Sequence, residues 1–338
     1  MKVPLKTLIR RVLLSLSLLI VSPLYPESGY TLGKGLQIGS LPVYVGGYFS
    51  IDYRNRDDEQ RYRIDDIALL SYGGNDTLSY MLELEYKEFY VQTRDARDTT
   101  VARDTHLYIE RLYLDYNINE HYRLRVGKYN SPIGFWNLMH INVLRETTSN
   151  PVASHILYPM FTTGANLTYS TFYNVAWQAD LIVQHGKAID NGYNNYAMNR
   201  HAGVGVTYGD EDFTCKISGG YFRKTKRYNN RDIYYALVAA KYETDTYVLQ
   251  TELGSQRSGS ETTVPYAGYL QGAYSLTQRH IGIVRFEAYR NNTLDESDRF
   301  IVLGYTYRPL YPVALKSEYQ WHTRYRGNQF LLSVSVLF

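Results

Sequence analysis

One cysteine, Cys215, stands among 338 residues. No disulfide can form within the chain, so its stability must come from packing and backbone hydrogen bonding. Cys215 falls in a predicted strand, where a small half-buried side chain is the expected role. Long apolar runs are also missing. Beyond the amino terminus nothing approaches the ~18 consecutive apolar residues of a membrane-spanning helix, which excludes a helical membrane protein. Net charge is small as well: 36 basic residues face 33 acidic ones, and Lys2, Lys6, Arg10 and Arg11 belong to the extreme amino terminus. A nearly neutral chain has no field with which to displace counterions from phosphates, so nucleic acid is not expected as a partner. The eight histidines are scattered, and neither Gly-x-Ser-x-Gly nor His-Glu-x-x-His occurs. No catalytic, cofactor-binding or metal-ligating residues are therefore expected.

What the chain has in quantity is tyrosine: 36, against 11 phenylalanines and 3 tryptophans. An apolar ring with a polar tip suits the two levels where a membrane meets water. The four amino-terminal basic residues run into the apolar stretch 12–21, the order of a secretory signal peptide. Residues 1–26 are thus read as the signal, 27–42 as a lead-in, and 43–338 as the body of the protein.

That body is a succession of segments in which apolar and polar residues alternate. In the last one, Phe330, Leu332, Val334, Val336 and Phe338 share a face, while Gln329, Ser333 and Ser335 share the other. The same test predicts strands over 43–53, 62–72, 78–91, 106–116, 121–129, 161–170, 174–185 and 200–208. Eight more follow over 212–223, 231–243, 246–256, 264–275, 280–290, 299–308, 312–323 and 328–338. Their connections fall into two classes. Short turns lie at 73–77, 117–120, 209–211, 244–245 and 309–311; longer polar stretches lie at 54–60, 92–105, 130–160, 186–199, 224–230 and 291–298. Short turns on one rim and long loops on the other describe an all-β, transmembrane antiparallel β-barrel of about 16 strands, within a range of about 14–18.

The connection 130–160 is too long for a plain hairpin and has apolar surface to bury, including Trp136, Ile141, Val143 and Leu157. It leaves the barrel through Arg123-Leu-Arg-Val-Gly-Lys-Tyr-Asn-Ser-Pro-Ile-Gly134. This stretch resembles the Arg-x-Gly-x-x-x-x-Pro-x-Gly entry to the third loop of bacterial outer-membrane porins, in particular those similar to the phosphate-selective O/P type. The resemblance implies a 16-stranded barrel, a homotrimer, and a third loop folded into the lumen as a constriction. The mature chain has 9 lysines against 23 arginines and no lysine-rich stretch to gather phosphate, so the likeness reaches porin and stops short of phosphate porin.

The expected function is a passive, water-filled diffusion channel for small hydrophilic solutes or ions in the outer membrane of a Gram-negative cell. It would need no cofactor. Membrane lipid is one expected partner, and the barrel assembly machinery, engaged through the last strand ending in Phe338, is another. The alternatives are a barrel with lipase or protease activity, or one with an adhesive or structural role.

Strand parity nominates the pore-lining residues, taking each apolar face as lipid-facing. Glu83, Glu85 and Lys87 point inward, as do Arg111 and Asp115, Arg123 and Arg125, and Lys316, Glu318, His322 and Arg324; His140, Arg145 and Glu146 come from the loop. Arg111, Arg123 and Arg125 would form a positive wall beside the loop, which suggests a weak preference for anions.

Overall fold

The computed structural model describes residues 29–338 other than 172–175, 191, 193, 226–230 and 325. The expected signal, 1–26, and most of the 224–230 connection lie outside the described residues. The strands are β1 (Tyr30–Thr31), β2 (Gly35–Gln37), β3 (Val43–Arg56), β4 (Glu59–Gly74), β5 (Leu78–Arg94), β6 (Thr99–Ala102), β7 (Leu107–Asn117), β8 (Tyr122–Asn130), β9 (Phe161–Ser170) and β10 (Ala176–His185). Then come β11 (Met198–Gly209), β12 (Phe213–Lys224), β13 (Asp232–Glu243), β14 (Tyr247–Ser258), β15 (Glu261–Thr277), β16 (His280–Asn291), β17 (Glu296–Leu310), β18 (Val313–His322) and β19 (Gln329–Leu337).

Setting aside the short β1, β2 and β6, sixteen strands pair antiparallel with their sequence neighbours, and β19 pairs with β3 to close the barrel. These are the sixteen strands the alternation predicts, with ends that differ by at most three residues. Several connections on the loop rim are shorter than expected because the strands run on past the membrane level. The stretch 54–60 reduces to a tight reversal at Asp57 (φ 48°) between β3 and β4, and within 92–105 the short β6 pairs back onto β5. Where both faces are wet the side chains no longer alternate, although the backbone still pairs.

The barrel is inside-out relative to a soluble fold. Leu114, Val126, Val204, Ile217, Leu253, Leu270 and Val284 lie at least half exposed on the outer face or close to it, as a lipid-facing band requires. Aromatic pairs mark its edges. Tyr122 and Tyr169 (5.1 Å), Trp177 and Tyr208 (4.9 Å), and Tyr242 and Tyr247 (5.8 Å) follow the turn rim. Tyr53 and Tyr62 (4.8 Å) and Tyr221 and Tyr234 (6.0 Å) lie toward the loop rim. These girdles take part of the tyrosine excess, while others such as Tyr48, Tyr129, Tyr158, Tyr235 and Tyr269 are buried.

The closing seam depends on a glycine. Gly47 and Phe338 exchange both backbone hydrogen bonds, each 2.7 Å. A Cβ on Gly47 would stand 2.2 Å from the Ala68 carbonyl oxygen and 2.9 Å from the Phe338 ring. Gly47→Val is therefore expected to prevent the last strand from docking, read as loss of the compact, heat-sensitive band when the refolded protein is run unheated in SDS gels.

A row of irregular pairings crosses β3 to β7. Register shifts fall between Phe49 and Ile51 in β3, between Ile64 and Asp66 in β4, and between Glu83 and Leu84 in β5. Residues Asp65, Glu88 and Glu110 are the extra ones, and Glu88 has φ 50°. Each bulge breaks the period of two, so neighbouring residues can face the lumen together.

Candidate pore constriction

The connection between β8 and β9 folds into the lumen. It contains the 3₁₀ turns Trp136–Leu138 and Asn142–Leu144 and one helix, α1 (Val152–Ile156). The entry motif acquires a physical meaning here, because both its glycines have left-handed backbone: Gly127 at φ 134° and Gly134 at φ 65°. At Gly127 a Cβ would meet the Leu112 carbonyl oxygen at 2.1 Å; at Gly134 it would meet the Glu252 carboxylate at 2.5 Å. The second absence lets Glu252 Oε1 accept hydrogen bonds from the Phe135 and Trp136 amides, both 2.7 Å.

That carboxylate is one of a set of buried charges on the far wall that hold the loop by its backbone. Glu318 accepts from the Thr148 amide, from the Ser149 amide (2.8 Å) and from the Ser149 hydroxyl (2.6 Å). Glu287 accepts from the Val152 amide at 2.8 Å. Bases take the carbonyls: Lys316 donates to Asn142 O, and Arg308 donates to Val143 O at 2.6 Å and to Arg145 O at 3.1 Å. Arg285, fully buried, bridges Glu287 (2.7 Å) and the loop side chains Thr147 (2.8 Å) and Ser149 (2.6 Å). Carboxylates bind the loop's amides and cations bind its carbonyls, a matched charge-assisted arrangement.

Apolar packing completes the docking. Ile133, Ala153, Leu157 and Tyr158 of the loop bury against Ile182, Ile233, Leu237 and Val264, which point into the barrel from β10, β13 and β15. A second cluster sets Ile141 and Val143 against Tyr48, Ala68, Leu70 and Ala314. The loop is therefore docked on the inner faces of the strands from β10 to β18 and touches β3 and β4 through Ile141 and Val143, leaving a cavity beside β3–β7.

There a cavity of about 500 Å³ separates the loop from the wall. The loop presents Trp136, His140, Arg145 and His155. The wall presents the carboxylates Asp52, Asp65, Asp66, Glu85, Glu88 and Glu110, interleaved with Arg54, Arg61, Arg63 and Lys87. Arg63 pairs with Asp52 (2.9 Å) and Asp65 (3.0 Å), and Arg61 pairs with Glu88 (2.7 Å). Burial pulls the Arg145 guanidinium below its ordinary value, against the opposing pull of Asp66, Asp65 and Asp52 across the cavity. A base on the loop facing acids on the wall makes a transverse field.

The nominated residues divide among several places. Glu85, Lys87, His140 and Arg145 line the cavity. Glu83 and Arg111 form a buried ion pair beside it. Asp115 and Arg125 form a two-pronged pair, both contacts 2.7 Å, with the guanidinium 4.0 Å over the Tyr113 ring. Arg123 is exposed and sits opposite Asn117, next to the turn rim and remote from the loop. Lys316 and Glu318 face inward but are consumed in holding the loop. Glu146 contributes its carbonyl, which accepts from the Thr306 hydroxyl. His322 pairs with Asp298 at 2.8 Å, and Arg324, in the connection after β18, reaches Glu296 at 3.5 Å.

Parity missed Asp65, Glu88 and Glu110 because bulges displace them. It also passed over Asp52, Arg54, Arg61, Arg63, Asp66 and His155, although the polar residues of β3 and β4 were open to the same test.

No family model matches the chain, and no curated protein matches it. Among solved structures it is similar to OmpF of Salmonella typhi, solved with daunomycin (TM-score 0.60, 11% identity, covering 88% of this chain and 97% of that one). It is similar to the trimer form of OmpT, an outer-membrane protein of Vibrio cholerae (0.60, 12%, 88% and 99%). It is also similar to an anion-selective porin from Comamonas acidovorans (0.60, 12%, 88% and 99%). At these identities the likeness concerns the fold, and that fold is the 16-stranded β-barrel of bacterial outer-membrane porins.

Proposed function

We propose that the chain is an outer-membrane diffusion channel passing small hydrophilic solutes and ions, without catalysis. The observation that carries this reading is the docked loop. Its backbone is held by buried charges on the far wall, and a cavity lined by charged residues remains between it and β3–β7, an arrangement that suits a sieve better than a plug. The trimeric form of the Vibrio cholerae neighbour favours a homotrimer here too, with the lipid bilayer around it and the last strand, ending in Phe338, as the signal for assembly into the membrane.

The charge balance at the cavity favours weak selectivity. Six carboxylates face five bases there, and two of the three arginines expected to form a positive wall, Arg111 and Arg125, are matched by Glu83 and Asp115. The anion preference those arginines suggest is accordingly small. Refolded protein in a planar bilayer is expected to give stepwise open channels with a reversal potential close to zero under a salt gradient. A folded barrel that never conducts would overturn the channel reading. Strong selectivity of either sign would overturn only the charge assignment.

A further inference from the structure

Where the loop meets the wall, His140 approaches two carboxylates at an unusual spacing. Its Nε2 stands 3.3 and 3.5 Å from the two oxygens of Glu83 and 3.6 Å from Glu110 Oε1, and one ligand atom from each of the three groups lies within 4.8 Å of the others. These separations are long for a charge-assisted hydrogen bond, which runs to about 2.7–2.9 Å. They come close to two edges of a tetrahedron around one zinc-sized ion, whose edges, from Zn–N and Zn–O lengths near 2.1 Å, are about 3.3–3.5 Å.

The second oxygens of both acids are already engaged. Arg111 holds Glu83 Oε2, and the Tyr48 hydroxyl lies 3.0 Å from Glu110 Oε2. Glu110 thus keeps Oε1 for the imidazole, and Glu83 presents both oxygens to it, so each acid is oriented by an outer partner as metal ligands are. The imidazole is satisfied on one side only: Nε2 faces the two acids, while the side chain is 7% exposed and Nδ1 has no hydrogen-bond partner among the described residues. Glu110 and His140 both border the cavity, so an ion has a route in.

We propose that His140, Glu83 and Glu110 form a binding site for a divalent transition ion of the zinc class, with water as the fourth ligand. The three groups come from the loop, β5 and β7, so the ion would add a further tie between the loop and that wall.

The test is calorimetric titration of the refolded, chelator-washed full-length barrel with zinc chloride. One ion per chain is expected, with affinity reduced at least about tenfold by His140→Ala and by Glu110→Gln. The loop position of the first and the near-isosteric nature of the second keep the barrel intact, and His280→Ala on the turn rim should leave binding unchanged. No zinc uptake, or variants within about tenfold of the parent, would overturn the site. Because binding is read by heat and not by current, its failure would leave the channel reading untouched, and a non-conducting barrel that binds zinc would leave the site standing.

Discussion

Glu318→Ala is expected to release the third loop from the wall and raise both the mean single-channel conductance and its noise. Glu318 is 2% exposed and accepts hydrogen bonds from two loop amides and one hydroxyl. Removing the carboxylate orphans the Thr148 and Ser149 amides and leaves Lys316 and Arg285 with less counter-charge nearby. A buried charge-assisted hydrogen bond is worth about 1.5–3 kcal/mol, and breaking one partner of a buried charged set costs about 3–5 kcal/mol. Loosening of that order greatly enlarges the share of time the segment 145–152 spends undocked. The β3–β7 opening would then widen toward the full lumen, whose diameter a 16-stranded barrel sets. Glu318→Gln, which keeps one acceptor oxygen, should fall between the two. Unchanged conductance and noise in the alanine variant would show that the loop is held by its apolar contacts alone, and the role given to the buried charges would be wrong.

The second large effect concerns selectivity. Arg145 is the one permanently charged base that the loop offers to the cavity, and Asp52, Asp65 and Asp66 exert their pull on it from the wall. Arg145→Glu reverses that charge at the narrow level and adds it to the acids opposite. At an effective dielectric of about 20, a unit charge some 8 Å from a passing ion contributes about 2 kcal/mol. Screening by lumen water and salt reduces this to about 1 kcal/mol. Since the reversal changes the charge by two units and acts oppositely on cations and anions, the cation-to-anion permeability ratio should rise by at least about fivefold. The reversal potential should move clearly toward cations and the shift should shrink as salt is raised. The same substitution at Arg123, exposed near the turn rim, should move it far less. Equal shifts from both positions would place the selective level elsewhere in the pore.

The contrast between these two arginines shows what strand parity can and cannot deliver. Alternation places Arg123 and Arg125 on the lumen face of β8 but is silent on height. Paired with Asn117, Arg123 lies one short step from a turn, and only the register, fixed by pairing with β7 and β9, reveals that. Lys316 and Glu318 are also inward by parity. What the period of two could not convey is that a segment some 170 residues away in the chain would occupy the space in front of them.

For the fold, local signals sufficed. A transmembrane strand must alternate because one face meets lipid and the other water, and a turn must carry residues that reverse tightly, so sixteen strands were legible in the residues themselves, whereas loop-rim connections such as 54–60 proved shorter than their polarity suggests. The entry motif also located the loop, since Gly127 and Gly134 are needed for backbone that L side chains resist. The constriction was different. Which wall the loop docks on, which charges it consumes, and which residues the bulges at Asp65, Glu88 and Glu110 turn inward all depend on contacts between segments far apart in sequence. Alternation is a local consequence of two solvents, and one residue inserted into a strand cancels it. The sequence by itself therefore determined that this is a barrel with an inward loop. Where the opening lies, and which charges face a passing ion, was decided only when that loop found its buried partners across the lumen.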